Sequence, residues 1–247
     1  MPTLPSSPPK PISEIWRPEL TRLPVLNRGR RLLRGFAGLL ARMLIRLCTR
    51  PQVRGREHLP STGPALVVIN HLGDADVPLL LAALPAPPDS LAKIELYDLP
   101  ILGRLIDRYG VIWLHRGRPD RRALRCALDA LAEDRIILIA PEGRYSLAQG
   151  LEQGNQGAAF LALKANAPII PVALTGTEND RVYGGLKRLR RAAVTLTAGE
   201  PFHLKAPQGS DRMQAGTRQI MESLARLLPE GYRGIYNDST DKMKPNG

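Results

Sequence analysis

Three apolar runs in this 247-residue chain each end in a polar cluster. Residues 65–69 lead into Asn70-His71-Leu72-Gly73-Asp74-Ala75-Asp76. Residues 111–114 lead into His115-Arg116-Gly117, and residues 136–140 into Pro141-Glu142-Gly143-Arg144-Tyr145-Ser146. His71 is the natural general base, because an unperturbed imidazole titrates near neutral pH. Such a base needs a carboxylate to hold its tautomer and stabilise the imidazolium. Five residues along one helix would turn two side chains about 140° apart. Asp76 therefore meets His71 only if His71 lies in the loop and Asp76 in the first turn of the next helix, where an acid also suits the helix dipole. Asp74 is the competing partner. GxSxG is absent, and neither Cys48 nor Cys126 follows a strand in a reactive setting. A base without a protein nucleophile activates a substrate hydroxyl or a water directly. Arg116 and Arg144 have the forked geometry that holds a phosphate.

Positioning these clusters requires strand ends. Short apolar runs at 65–69, 91–96, 111–114, 136–140, 169–174 and 193–198 read as strands. Helical stretches lie between them at 77–83, 119–133 and 157–166, with a last helix at 210–228. Strands alternating with helices predict a single α/β domain with a largely parallel central sheet flanked by helices. In such sheets ligands gather at the carboxyl ends of the strands. Composition excludes wholesale disorder, a collagen repeat and a multi-span membrane protein: 43% of residues are hydrophobic and 23% charged. No CxxC or HExxH pattern occurs, so no metal is expected.

The formal charge is +12. Ten arginines and no acid lie between Arg22 and Arg56, and the remainder is close to neutral. Within this segment residues 29–49 have helical periodicity. Leu32, Leu33, Phe36, Leu39, Leu40, Met43, Leu44 and Leu47 fall on an arc of about 140°. Arg28, Arg30, Arg31, Arg34, Arg42 and Arg46 cover the opposite side. A basic amphipathic helix of this kind lies in a membrane interface with its arginines on anionic headgroups. It cannot span, because Arg42 and Arg46 interrupt an apolar run far short of about 20 residues. The competing readings are a helix packing its leucines on the protein's own core, and a basic protein that binds nucleic acid without catalysis. Aromatics are only 4%, too few for base-stacking platforms, so no nucleic-acid partner is expected.

At this point the residues resemble a family. Asn70-His71-x4-Asp76 looks like the NHx4D signature of the glycerolipid acyltransferases, the 1-acylglycerol-3-phosphate acyltransferase group. Four further blocks agree in order and spacing. Ala92-Lys93-Ile94-Glu95-Leu96 with Pro100-Ile101-Leu102-Gly103 is similar to the family's K-E-L…P-x-x-G stretch. Gly110-Val111-Ile112 leading to Arg116 resembles the second block, Pro141-Glu142-Gly143…Ser146 the EGTRS block, and Ile170-Pro171-Val172-Ala173-Leu174 the fourth. The resemblance runs from about Pro51 to Phe202. Two departures stand out: Arg144-Tyr145 replaces the usual Thr-Arg, and Gly73 replaces the usual Ser.

The resemblance implies acyl transfer from acyl-CoA or acyl-carrier protein, as co-substrate and with no other cofactor, to a lysophospholipid hydroxyl. The expected acceptor is 1-acylglycerol-3-phosphate, giving phosphatidate; another lysolipid or a glycolipid is the alternative, and hydrolysis by the same base is a third reading. His71 and Asp76 carry over as the catalytic pair. Asn70, Lys93, Arg116, Glu142, Gly143, Arg144 and Ser146 carry over as substrate-binding positions, with backbone donors near Gly143 facing the oxyanion. The expected organisation is a disordered Pro-rich leader at 1–21 and no signal peptide, a membrane-associating helix at 22–50, the acyltransferase domain at 51–229 and an extended tail at 230–247. The expected location is the cytoplasmic face of a membrane, held peripherally by anionic lipid.

Overall fold

The computed structural model describes residues 9–117, 119–146, 150–205, 209 and 211–237. Seven strands form one sheet: β1 (Thr49–Arg54), β2 (Ala65–Ile69), β3 (Asp89–Lys93), β4 (Ile112–Leu114), β5 (Ile136–Ile139), β6 (Ile169–Thr175) and β7 (Ala192–Ala198). Their order is β1-β7-β6-β2-β5-β3-β4, and every neighbouring pair is parallel except β6 with β7. The fully apolar runs of β2 and β5 lie side by side at the centre, as expected of strands covered on both faces.

Alternation along β2 divides the core. Leu66 and Val68 face α4 (Arg121–Ala132), α5 (Gly157–Ala165) and α7 (Arg212–Leu227). Ala65, Val67 and Ile69 face α1 (Arg28–Cys48), α2 (Asp76–Ala83) and α6 (Asn179–Lys187). The single α/β domain is therefore as the sequence predicts. Three elements were not anticipated: β1, α6 and α3 (Leu102–Tyr109). β1 is an edge strand with four polar or charged residues, Thr49, Arg50, Gln52 and Arg54, and α3 and α6 have strongly mixed composition. The apolar run at 91–96 is shorter as a strand, since Ile94–Asp98 turns into a 3-10 helix after Lys93.

The N-terminal helix forms, with the Asn27 side chain capping it by accepting from Arg30 N at 2.8 Å. Its packing face is not the leucine face. Arg34, Gly38, Ala41 and Ile45 are the buried residues, spaced 4, 3 and 4 along one side. The predicted apolar face is outward: Leu32 is 75% exposed, Phe36 61% and Leu47 68%. The core-packing reading of these leucines is thus incorrect. So is the placing of Arg34 with the outward arginines. Its guanidinium donates to Asp89 Oδ1 at 2.6 Å and to the carbonyls of Tyr109 and Gly110 at 2.9 and 2.7 Å. Helix periodicity shows that Arg34 stands apart from the leucines, but not that a buried carboxylate waits there.

Both expected termini need correction. Residues 9–21 are not a free leader but lie along the strand-end loops. Ser13 exchanges hydrogen bonds with the Arg116 backbone, donating at 3.1 Å and accepting at 2.8 Å on Oγ. Lys10 Nζ reaches Gln153 O at 2.7 Å, and Trp16 packs on the His115 ring. Proline-rich backbone lacks donors for a sheet, yet its remaining amides suffice to pair with loops. At the other end, residues 230–236 make two 3-10 turns and fold back on Leu151 rather than extending. The rest of both terminal segments lies outside the described residues.

Candidate active site

The carboxyl ends of β2, β4 and β5 open on the same edge of the sheet, as the sequence predicts. After β2 the chain turns through Leu72 and Gly73 into α2, which starts at Asp76. That turn brings His71 Nδ1 to 2.7 Å from Asp76 Oδ2. The same oxygen accepts from Leu72 N at 2.7 Å and Gly73 N at 3.0 Å. Asp76 is fully buried, and its position in the first turn gives it the helix dipole as well. His71 keeps 23% of its side chain exposed, and no described residue bonds its Nε2. Asp74, the competing partner, instead accepts from the hydroxyls of Tyr145 and Tyr183. Gly73 has a steric reason: a Cβ there would lie 2.4 Å from the Thr177 carbonyl oxygen. This accounts for the departure from Ser.

A second His-x4-Asp pair sits after β4. His115 Nδ1 is 2.9 Å from Asp120 Oδ2, and Asp120 caps α4 by accepting from Arg122 N and Ala123 N. Here the ring is buried and its Nε2 accepts from Arg17 N at 3.0 Å. Burial alone would raise the Asp120 pKa, but the backbone donors of His115 and Ala123 bring it below its ordinary value. His115-x4-Asp120 repeats the spacing of His71-x4-Asp76 but was not read as a pair from the sequence; burial and the cover over Nε2 separate the two histidines.

Most of the expected substrate-binding residues serve as internal braces. Asn70 is buried and links β2 to β6, donating to Leu174 O at 2.9 Å and accepting from Leu174 N at 2.7 Å. Glu142 is fully buried and accepts from His71 N at 3.3 Å, Ser146 Oγ at 2.8 Å and Glu152 N at 2.9 Å. Burial pushes its carboxyl up to about 7 against the pull of these donors. Ser146 also donates its N–H to His71 O at 2.7 Å, tying the loop after β5 to His71. The Gly143 N–H donates to Ala140 O, so it is not free for an oxyanion. Arg144 is turned inward, with Nε and Nη2 at 2.8 and 2.7 Å from Glu152 Oε2. These polar side chains are enclosed because three loops must be tied at one edge of the sheet, where the backbone ladder no longer binds them.

Arg116 and Lys93 remain at the rim. Arg116 is half-buried, with Nη2 3.4 Å from Glu95 Oε1. Lys93 closes β3, its backbone paired in register with Leu114. Tyr145, which stands where the family pattern has Arg, sets its ring edge-on to His71 with centroids 4.3 Å apart. Its hydroxyl donates to Asp74 Oδ1 at 2.6 Å, and the hydroxyl of Tyr183 in α6 donates to Asp74 Oδ2 at 3.0 Å. Tyr183 and Glu152 carried no motif and were not read from the sequence.

The sequence model of the family described as Acyltransferase matches residues 50–175, half of the chain. The chain belongs to the acyltransferase family. It is 31% identical over 71% of its length to a 1-acyl-sn-glycerol-3-phosphate acyltransferase of Chlamydomonas reinhardtii, covering 52% of that protein. It is 33% identical over 67% of its length to the lyso-ornithine lipid O-acyltransferase of Pseudomonas aeruginosa, covering 68% of that protein. The chain spans about half the length of the first of these relatives. Its fold is similar to that of the 1-acyl-sn-glycerophosphate acyltransferase PlsC of Thermotoga maritima, with a TM-score of 0.65 over 90% of this chain and 86% of that one at 22% identity.

Proposed function

We propose that this protein transfers a fatty acyl group from an acyl thioester, on coenzyme A or an acyl carrier protein, to the free hydroxyl of a lyso-lipid. One observation carries the reading. His71 is oriented through Nδ1 by a buried carboxylate at 2.7 Å and leaves Nε2 open, whereas the like-spaced His115 has its Nε2 covered. Nε2 of His71 takes the proton of the acceptor hydroxyl as its oxygen attacks the thioester carbonyl. Asp76 stabilises the imidazolium that results. The tetrahedral intermediate collapses, the C–S bond breaks, and the imidazolium returns its proton to the leaving thiol. No covalent acyl-enzyme is required.

The relatives are named for acceptors with phosphate and with amino-acid headgroups. What these share is a hydroxyl on an acylated molecule resident in a bilayer. The outward apolar face of α1, flanked by Arg28, Arg30, Arg31 and Arg46, supports peripheral docking on an anionic membrane. No helix among the described residues is long and apolar enough to cross a membrane. The test is purified protein with radiolabelled acyl-CoA and lyso-lipid vesicles. Labelled diacyl lipid is expected from the wild type and none from His71→Ala. Free fatty acid without acylated lipid would make the reaction hydrolysis and refute the proposal.

A further inference from the structure

The departure at Tyr145 sets a neutral phenol beside His71 where the family pattern has a guanidinium. Both arginines expected to hold a phosphate are already engaged: Arg144 with Glu152 at 2.7 Å and Arg116 with Glu95 at 3.4 Å. On the His71 side, by contrast, a carboxylate is presented. Asp74 is exposed, lies three residues from the base, and has no cationic partner among the described residues. Its place is set from three directions. Tyr145 and Tyr183 each donate a hydroxyl to one of its oxygens, and the Asp74 N–H donates to Asn179 Oδ1 at 2.8 Å. The Tyr145 side chain that anchors it also sets its ring edge-on to the imidazole, so one residue links the carboxylate to His71. Gly73, where a Cβ would strike the Thr177 carbonyl, holds this turn against α6.

A carboxylate with two phenol donors still has free lone pairs, since its two oxygens offer about four acceptor sites. Burial and the adjacent Asp74 raise the Tyr145 hydroxyl, and the bond to Asp74 raises Tyr183, so both stay neutral donors rather than competing anions. A phosphate brought to Nε2 would meet this negative charge across one tyrosine side chain. An ammonium would complete its coordination. Resting on the acyl-transfer reading above, we propose that Asp74, clamped by Tyr145 and Tyr183, selects an acceptor whose headgroup carries a cationic amine rather than a phosphate.

Two acceptors with the same acyl chain and the same free hydroxyl separate the cases: 1-acylglycerol-3-phosphate and 1-acyl-3-lysylglycerol. The wild type is expected to favour the lysyl acceptor in kcat/KM. Asp74→Asn keeps the shape and removes the charge. It is expected to lower the lysyl-to-phosphate ratio about 10- to 100-fold, the worth of one hydrogen bond to a charged group, mainly through KM. Tyr183→Phe leaves the charge but loosens it, and is expected to lower the ratio about threefold, as loss of one modest hydrogen bond does. It serves if the Asp74 variant does not fold. Wild-type preference for the phosphate acceptor, or a ratio unmoved in both variants, overturns the role of Asp74 while leaving acyl transfer standing. No acylated product from either acceptor overturns the acyl-transfer reading itself.

Discussion

The two His-x4-Asp pairs give a matched experiment. Asp76→Asn and Asp120→Asn replace equivalent carboxylates that sit 2.7 and 2.9 Å from a histidine Nδ1. At Asp76 the oxygen in use, Oδ2, already takes His71 and two backbone amides, while buried Oδ1 has no partner. Asparagine must either bury an unsatisfied NH2 at the Oδ1 position or turn that NH2 toward His71 and favour the wrong tautomer. In both arrangements the imidazolium loses its counter-charge. A fall in kcat of about 10²- to 10⁴-fold follows, the range for removing general-base assistance. At Asp120 an asparagine Oδ1 can still cap α4, so the losses are the bonds that Oδ2 accepts from the His115 N–H and ring, where an NH2 would stand. These sum to about 2 kcal/mol of stability. For a chain of this size that lowers Tm by roughly 4–8 °C. The assay is initial-rate acyl transfer at saturating acceptor, normalised to the folded fraction from circular dichroism, with thermal melts alongside. Asp120→Asn should keep the wild-type kcat per folded molecule. Equal rate losses in the two variants, or a kcat within about threefold of wild type for Asp76→Asn, would refute the division into one chemical and one structural pair.

Arg34→Ala should destabilise the protein by about 3 kcal/mol, because among the described residues it leaves buried Asp89 with Arg135 at 3.7 Å as its remaining cation. Chemical unfolding measures this, and a loss under about 1 kcal/mol would show that the pair contributes little. Replacing Leu39, Met43 and Leu47 together with serine should weaken binding to anionic vesicles without lowering Tm, since all three are exposed; unchanged flotation would remove α1 from the membrane. Glu142 titrates near 7 when folded, against 4.5 as the ordinary value, so the native state holds the extra proton. Its contribution is therefore full below the unfolded value and is lost as pH rises through about 7, a cost of about 3 kcal/mol. Measured by urea unfolding, the stability of wild type relative to Glu142→Gln should decline across this window. A flat difference would mean that the three donors keep Glu142 ionised throughout.

The central strands, the alternation with helices and the three polar strand ends were legible in residues 65–69, 136–140 and 169–174, because fully apolar runs bounded by turns have few other places to go. The His71–Asp76 pairing was legible too, since a five-residue step closes only across a loop-to-helix junction. The family resemblance places Asn70, Glu142 and Arg144 among the substrate contacts, and in the structure each makes internal bonds. Their residue types suit both uses, and nothing local says which way a side chain turns.

What the sequence by itself determined is what depends on near neighbours: strand and helix periods, the turn that meets Asp76, and the amphipathic face of α1. Tertiary structure decided what depends on residues far along the chain. It gave Arg34 a buried partner 55 positions away, covered His115 with Arg17, and joined Asp74 to Tyr183 across 109 positions. Burial and electrostatic pairing are properties of the assembled surface, so two histidines with the same local spacing become one open base and one closed brace only when the chain has folded around them.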